Sequence, residues 1–269
     1  FFLIFRRTNH MIIVNNMDTL SSNIKPSLTI FCSLFKGGKF IEGYMEDMLR
    51  QTIFKEVNFF ILDCASPHNE AEVITSYAKY PNISYLRLEK DPGLYPAWNV
   101  CITHTKSDLL TNWNVDDRKP PWSLEVMRDS LVLNPDIDLV YGDTIVSATP
   151  NEDWSSLQSK ELYICNETNN WTDLLRNNNP HCMPMWRRTI HDRFGYFNEE
   201  YKTASDADLW LKAAKAGSKM KKIENTVGIY YYNPTGRSSD PATLKEMINE
   251  VNEMRRKYEP DYKSPHEIK

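Results

Sequence analysis

The sequence predicts an α/β protein, a single domain built on a largely parallel sheet with helices on both faces. Compact β-rich runs alternate with helix-spaced apolar segments three times before residue 116, the pattern of right-handed βαβ units. The 269 residues, 41% of them hydrophobic and 25% charged, are enough for one sizeable core. Neither a linker nor a repeat nor a low-complexity block interrupts them, so one domain is the economical reading.

Each element can be justified in turn. Residues 1 to 26 read as an irregular tail ending at Ser21-Ser22-Asn23-Ile24-Lys25-Pro26. Leu28-Thr29-Ile30-Phe31-Cys32-Ser33 is a buried strand, broken by Lys36-Gly37-Gly38-Lys39. Phe40, Ile41, Tyr44, Met45, Met48 and Leu49 recur at helical spacing through about Gln51. Val57 to Leu62 is a second strand, a helix runs from Glu70 to Tyr80, and Ile83 to Leu88 is a third strand. After the loop Asp91-Pro92-Gly93-Leu94, Pro96 to Thr105 is a helix, and Asp108 to Thr111 is a fourth strand. Beyond it the pattern predicts a helix over 122–133, a strand over 137–141, a helix from Trp171, a helix over 206–216 closed by Gly217, and a strand over 226–232. Leu244, Met247, Ile248 and Val251 form the apolar stripe of a last helix, within a C-terminal segment taken as 241–269. Residues 147 to 170 are polar and fit no periodicity.

Composition excludes several functions. A net charge of -4 argues against a nucleic-acid binder held by phosphate contacts. No apolar run approaches the ~20 residues needed to span a bilayer. Five cysteines, odd in number and without CxxC spacing, argue against a metal cluster or disulfide framework and for a reducing compartment. The expected location is cytoplasmic, with a peripheral membrane position as the alternative, and the sequons at Asn82, Asn166 and Asn170 are then chance matches. The chain opens Phe1-Phe2-Leu3-Ile4-Phe5-Arg6-Arg7 without methionine, so Met11 or Met17 is a candidate start.

The most informative stretch is Asn112-Trp113-Asn114-Val115-Asp116-Asp117, which follows the fourth strand and precedes Pro120-Pro121. Proline lacks the N–H a ladder needs, so the strand cannot continue through it. Adjacent carboxylates then lie at the carboxyl end of a strand, where open α/β sheets bind ligands. Two like charges need a neutralising partner, and a hard divalent cation bridging a diphosphate is one; a solvated acidic turn is the other reading.

Five segments in one order resemble glycosyltransferase family 2, inverting and non-processive, over about residues 27 to 240. They are Leu28–Ser33 with the helix carrying Gln51-Thr52; Ile61-Leu62-Asp63-Cys64-Ala65-Ser66, similar to "VVDDGS"; and Asp91 to Asn99, similar to "DxGIYDAMN". Asn114-Val115-Asp116-Asp117 is similar to the DxD element in its "NSDD" form, and Pro180-His181 with Ala204 to Leu211 to "PH…EDxDLWLR". The resemblance implies the GT-A fold, with a Rossmann-like sheet, and metal-dependent transfer of a sugar from a nucleotide-diphosphate donor (UDP-, GDP- or dTDP-linked) to a hydroxyl.

By that resemblance, Ser33, Asp63, Asp91, Tyr95, Asn114 and Asp117 face the nucleotide, and Asp116 with Asp117 holds Mn²⁺ or Mg²⁺. Cys64 replaces the family's second aspartate, which leaves the base open between uracil, guanine and thymine. Asp206 is the expected catalytic base. Ser205 stands where the family has glutamate, so the assignment leans on register. Asp208 and His181 are acceptor-side candidates; His181 has substrate contact, metal or phosphate contact, and core packing as its three readings. Arg118 is expected either to add charge near the phosphates or to be an ordinary surface arginine. Trp98, Asn99, Trp186 and Trp210 are expected to pack, and Gly236-Arg237-Ser238-Ser239 to be a loop able to close over the diphosphate. The processive branch's QxxRW motif is absent, which favours single addition to a glycan, lipid-linked sugar or protein. A nucleotidyltransferase on a similar fold would need a fuller Gly-rich loop than Lys36–Lys39. A non-catalytic binding relative would be expected to have lost Asp116, Asp117 and Asp206.

Overall fold

The strand run Leu28–Leu34 alternates its side chains between two buried faces, and the fold is organised around it. The computed structural model describes residues 3–7, 10–14, 26–234, 236 and 239–263. Its strands are β1 (Leu3–Arg7), β2 (His10–Val14), β3 (Leu28–Leu34), β4 (Asn58–Asp63), β5 (Ile83–Arg87), β6 (Leu109–Asn112), β7 (Leu139–Ser147), β8 (Glu161–Tyr163), β9 (Met185–Arg187) and β10 (Met220–Tyr231). Its helices are α1 (Ile41–Arg50), α2 (Glu70–Ser76), α3 (Leu94–Thr103), α4 (Ser123–Leu133), α5 (Trp171–Arg176), α6 (Thr189–Phe194), α7 (Ser205–Lys215) and α8 (Pro241–Tyr258).

The sheet order is β1-β2-β5-β4-β3-β6-β9-β7-β10, with β8 added to β7. β5, β4, β3 and β6 run parallel. β9 lies antiparallel between β6 and β7, which restores β7 and β10 to the common direction. Because strand side chains alternate, Leu28, Ile30, Cys32 and Leu34 pack with Ile41, Tyr44, Met45 and Met48 of α1 and with Leu124, Met127 and Leu131 of α4. Phe31, Phe60 and Leu62 face the other way, onto Trp98, Cys101 and Ile102 of α3 and Leu209, Trp210 and Leu211 of α7. Each such side chain contributes about 1.5–3 kcal/mol by leaving water. Trp98, Asn99, Trp186 and Trp210 are all buried, as their packing role requires.

Several expectations are corrected. The irregular N-terminal tail contains, in its described parts, two strands, with β2 pairing antiparallel to β5 at the sheet edge. β9 and α6 have no counterpart in the sequence reading, because runs of three and six residues are too short to show a period. The unplaced stretch 147–170 holds a 3-10 turn at Trp154–Ser156 and the strand β8. Helix α3 starts at Leu94 rather than Pro96, since proline is tolerated in a first turn whose N–H groups have no helical partner. Gly93 provides its entry at φ +93, a left-handed conformation that costs glycine nothing. The Lys36–Lys39 turn serves close packing: a Cβ on Gly37 would lie 2.4 Å from Leu34 Cδ1 and 3.1 Å from Val115 Cγ1. Among the described residues no helix is long and apolar enough to cross a membrane.

Candidate functional site

The turn after β6 is fixed from several sides. Trp113, fully buried, donates its indole N–H to the Asp117 carbonyl at 3.0 Å. The Asp117 side chain is 1% exposed; it accepts from the Tyr231 amide of β10 at 3.1 Å and from Asn114 Nδ2 at 3.1 Å. Asn114 therefore orients Asp117 through its amide. Asp116 stays half-buried and is the more accessible member of the pair. Burial raises both carboxyls above the usual aspartate range, and the Asp116 charge pushes Asp117 further.

Two strands over, beyond β3, Asp63 closes β4. It is 0% exposed and accepts from the Ser66 amide at 2.7 Å, from the Tyr85 hydroxyl at 2.7 Å and from the Arg87 guanidinium. Arg87 also donates to the Ser66 carbonyl at 2.8 Å. Asp63 thus holds the 64–66 turn. Ser33, at the end of β3, accepts the Trp98 indole N–H at 3.1 Å. Asp91 is exposed and accepts from the Gly93 amide at 2.9 Å, shaping the entry to α3.

Tyr95, in the first turn of α3, reaches across to α7. Its hydroxyl donates to Asp206 Oδ1 at 2.7 Å, and Asn178 Nδ2 donates to Asp206 Oδ2 at 2.8 Å. Asp206 sits second in α7 and is half-buried. Burial raises its pKa, and the two donors pull in the opposite direction without cancelling the rise. A carboxylate that is aimed, more basic than usual and half-accessible is suited to accept a proton. Asp208 points elsewhere, accepting the Tyr258 hydroxyl of α8 at 2.9 Å.

Arg118 does not face the ligand side. It is 3% exposed and bound two-pronged to Asp47 of α1, Nε to Oδ2 at 2.6 Å and Nη2 to Oδ1 at 2.8 Å, while Nη1 donates to the Asn151 carbonyl at 3.0 Å. Both sequence readings of Arg118, phosphate charge and surface arginine, are therefore corrected. Asp47 also accepts the Lys119 amide at 3.2 Å, so it anchors the chain just after Asp117. His181, at φ 52, is stacked on Tyr163 with centroids 4.0 Å apart and edges onto Tyr230 at 5.1 Å. Its Nδ1 lies 3.2 Å from Cys182 Sγ, and burial lowers its pKa to about 4, so it is a neutral aromatic wall at ordinary pH. Of the expected loop at Gly236–Ser239, Arg237 and Ser238 lie outside the described residues.

Sequence reading missed Asn178, Asp47 and Lys119. Lys119 is 1% exposed, sits over Trp113 at 5.7 Å and, among the described residues, has no hydrogen-bond partner on Nζ. Burial lowers its pKa to about 8. No local signal marks Asn178 and Asp47, because each acts on a partner distant in the chain.

The carboxylates fit a cation only in part by themselves. Among the described residues no group of three or more His, Cys, Asp or Glu side chains converges. Asp116 with Asp117 behind it is an oxygen donor set that burial leaves short of positive charge, as a hard divalent ion prefers, with the remaining ligands left to a bound molecule and water.

Comparison with known proteins agrees with this architecture. A family model described as glycosyl transferase family 2 matches residues 29–195, more than half of the chain. An uncharacterized glycosyltransferase, YwdF of Bacillus subtilis (strain 168), is 26% identical over 216 residues, 78% of this chain and 76% of that protein. S. aureus TarS 1-349 in complex with UDP-GlcNAc superposes with a TM-score of 0.66 at 14% identity, over 90% of this chain and 69% of that one. Mannosyltransferase PcManGT from Pyrobaculum calidifontis, in complex with GDP-Man and Mn²⁺, gives 0.62 at 15% identity, over 92% and 68%. The strand order, the carboxylate turn after β6 and the sequence match converge: this chain belongs to glycosyl transferase family 2.

Proposed function

We propose that this chain transfers a sugar from a nucleotide-diphosphate donor to an acceptor hydroxyl by one inverting displacement. The observation that carries this reading is the hydrogen bond from Tyr95 to Asp206. It ties the start of α3, expected to face the donor, to the carboxylate expected to face the acceptor, so both substrates would meet at one point. Asp206 takes the acceptor hydroxyl's proton while that oxygen bonds to the anomeric carbon. The bond from that carbon to the diphosphate oxygen breaks, and its electron pair leaves with the nucleoside diphosphate. Tyr95 and Asn178 keep the carboxylate aimed through the step.

A divalent cation, Mn²⁺ or Mg²⁺, supplies charge neutralisation to the departing diphosphate when bound. Asp116 would hold it directly, with Asp117 fixed behind by Asn114 and Tyr231. Ser33, Asp91 and Asn114 border the nucleotide side, and Asp63 acts on the base through Arg87 and the 64–66 turn that it holds. The GDP-Man and Mn²⁺ named with the mannosyltransferase, and the UDP-GlcNAc named with TarS, support a nucleotide-sugar donor.

Thermal unfolding with UDP, GDP and dTDP, each with Mn²⁺ and with a chelator, tests the donor side. Ligand at ~100 times its dissociation constant adds about 2.7 kcal/mol of stability. A metal-dependent rise with one nucleotide, lost in Asp116→Asn, is expected; no rise with any of the three overturns the reading.

A further inference from the structure

The loop before α7 carries no cap of its own. Ala204, the residue preceding the helix, makes no side-chain cap bond, although the first N–H groups of a helix lack internal partners. The amides that another element takes up lie just before the helix rather than in its first turn. Glu250 of α8 takes the Thr203 amide at 2.6 Å, the Thr203 hydroxyl at 2.8 Å and the Ala204 amide at 2.8 Å on Oε1, and the Lys202 amide at 2.8 Å on Oε2. Four donors converge on one carboxylate within the three residues immediately before Ser205 and Asp206. Tyr258, two turns further along α8, holds the Asp208 side chain and carbonyl at 2.9 and 3.1 Å. Apolar packing backs the contact: Ala204 and Met254 are 0% and 1% exposed in the same core cluster. Helix α8 therefore grips the first turn of α7 on both sides of Asp206.

We propose that Glu250 is a positioning residue for Asp206, fixing the start of α7 so that the Asp206 carboxylate meets Tyr95 and Asn178. This rests on the reading of Asp206 as the base. A hydrogen bond to a charged acceptor is stronger than one between neutral groups, and four of them on one loop hold the direction in which α7 begins. A carboxylate two residues into the helix moves with that direction, and an error of about 1 Å at a reacting group costs on the order of 10²-fold in rate. Glu250 lies on the C-terminal helix α8, outside the residues 29–195 that match the family model.

The test compares Glu250→Ala, Glu250→Gln, Asp206→Asn and the double variant Glu250→Ala/Asp206→Asn. Release of UDP from UDP-GlcNAc and of GDP from GDP-mannose, with water as acceptor, reads turnover, and amide hydrogen exchange reads the loop. In Glu250→Ala, exchange should rise by about tenfold or more over residues 202–208 while 58–63 stays unchanged. Its kcat should fall by ~10–100-fold with donor KM within about twofold, and the double variant should be little slower than Asp206→Asn alone. Glu250→Gln keeps an acceptor on one oxygen and should fall between; it carries the test if the alanine variant does not fold. Unchanged exchange over 202–208, or full kcat per folded molecule in both Glu250 variants beside an inactive Asp206→Asn, overturns the positioning role alone. Near-normal turnover in Asp206→Asn overturns the base assignment itself.

Discussion

Glu152 and Asp206 are both carboxylates that burial makes more basic, and the molecule resolves them in opposite directions. Glu152, in the excursion between β7 and β8, accepts from the Ser147 hydroxyl, the Ser159 hydroxyl at 2.5 Å, and the Gln158 and Ser159 amides at 2.6 and 2.9 Å. Burial alone would raise its pKa, but these donors outweigh it and hold the group at about 2. Asp206 has two donors from side chains, and burial wins. A carboxylate whose donors outweigh its burial has spent its basicity on structure, whereas one whose burial outweighs its donors retains it for a proton. Access also differs between Asp63, enclosed by Ser66, Tyr85 and Arg87, and half-buried Asp116.

Asp206→Asn cuts deepest into that contrast. It keeps the shape of the side chain and removes its basicity, so transfer should fall by ~10²–10⁴-fold, measured as product formed per folded molecule. Nucleotide binding, followed by thermal shift, should be nearly intact. Transfer at close to the wild-type rate would sink the assignment.

Tyr95→Phe sharpens the comparison at the level of a single donor. The Tyr95 hydroxyl favours ionised Asp206, so its removal raises the Asp206 pKa further. A base works only when deprotonated, and its activity is lost as pH falls through its pKa. The acid limb of the kcat–pH profile should therefore move to higher pH in the variant, and a limb that stays in place or moves down would separate Tyr95 from the base.

Glu152→Gln should act on stability and leave turnover per folded molecule unchanged. Losing the charge on a group that collects four donors costs about 1–3 kcal/mol, read as a lower unfolding midpoint. The sign with pH follows from the depressed pKa: the contribution is complete above the ordinary glutamate range and is lost as pH falls through that range towards 2. A variant as stable as the wild type at neutral pH, or one that loses activity, would erase the distinction between the two carboxylates.

The sequence was most legible where the pattern is local. Asp116-Asp117 follows a strand and precedes two prolines, and Asp206 opens a helix, so order and pattern place them. Their partners were not legible. Tyr95 meets Asp206 across 111 positions, Arg118 meets Asp47 across 71, and Glu250 meets Thr203 across 47. Such pairs have no period and no fixed spacing, and only the closed sheet brings them together. Arg118 illustrates the cost: beside two aspartates it reads as ligand charge, yet the buried carboxylate of α1 claims it. β9 escaped because three residues next to Pro184 cannot establish an alternation.

That short strand also sets an order of assembly. Trp186 pairs with Leu110 of β6 on one side and with Leu139 of β7 on the other. During synthesis β7 emerges before β9, so apart from its short pairing with β8 it cannot join the main sheet until Met185–Arg187 arrive and fill the gap beside β6. The β3–β6 half can close on contacts already made, while β7, β10 and the α7–α8 grip wait on a non-local event, the kind that slows folding most. The nucleotide side of the cleft is thus expected to mature first, and the proton-accepting side to be completed last.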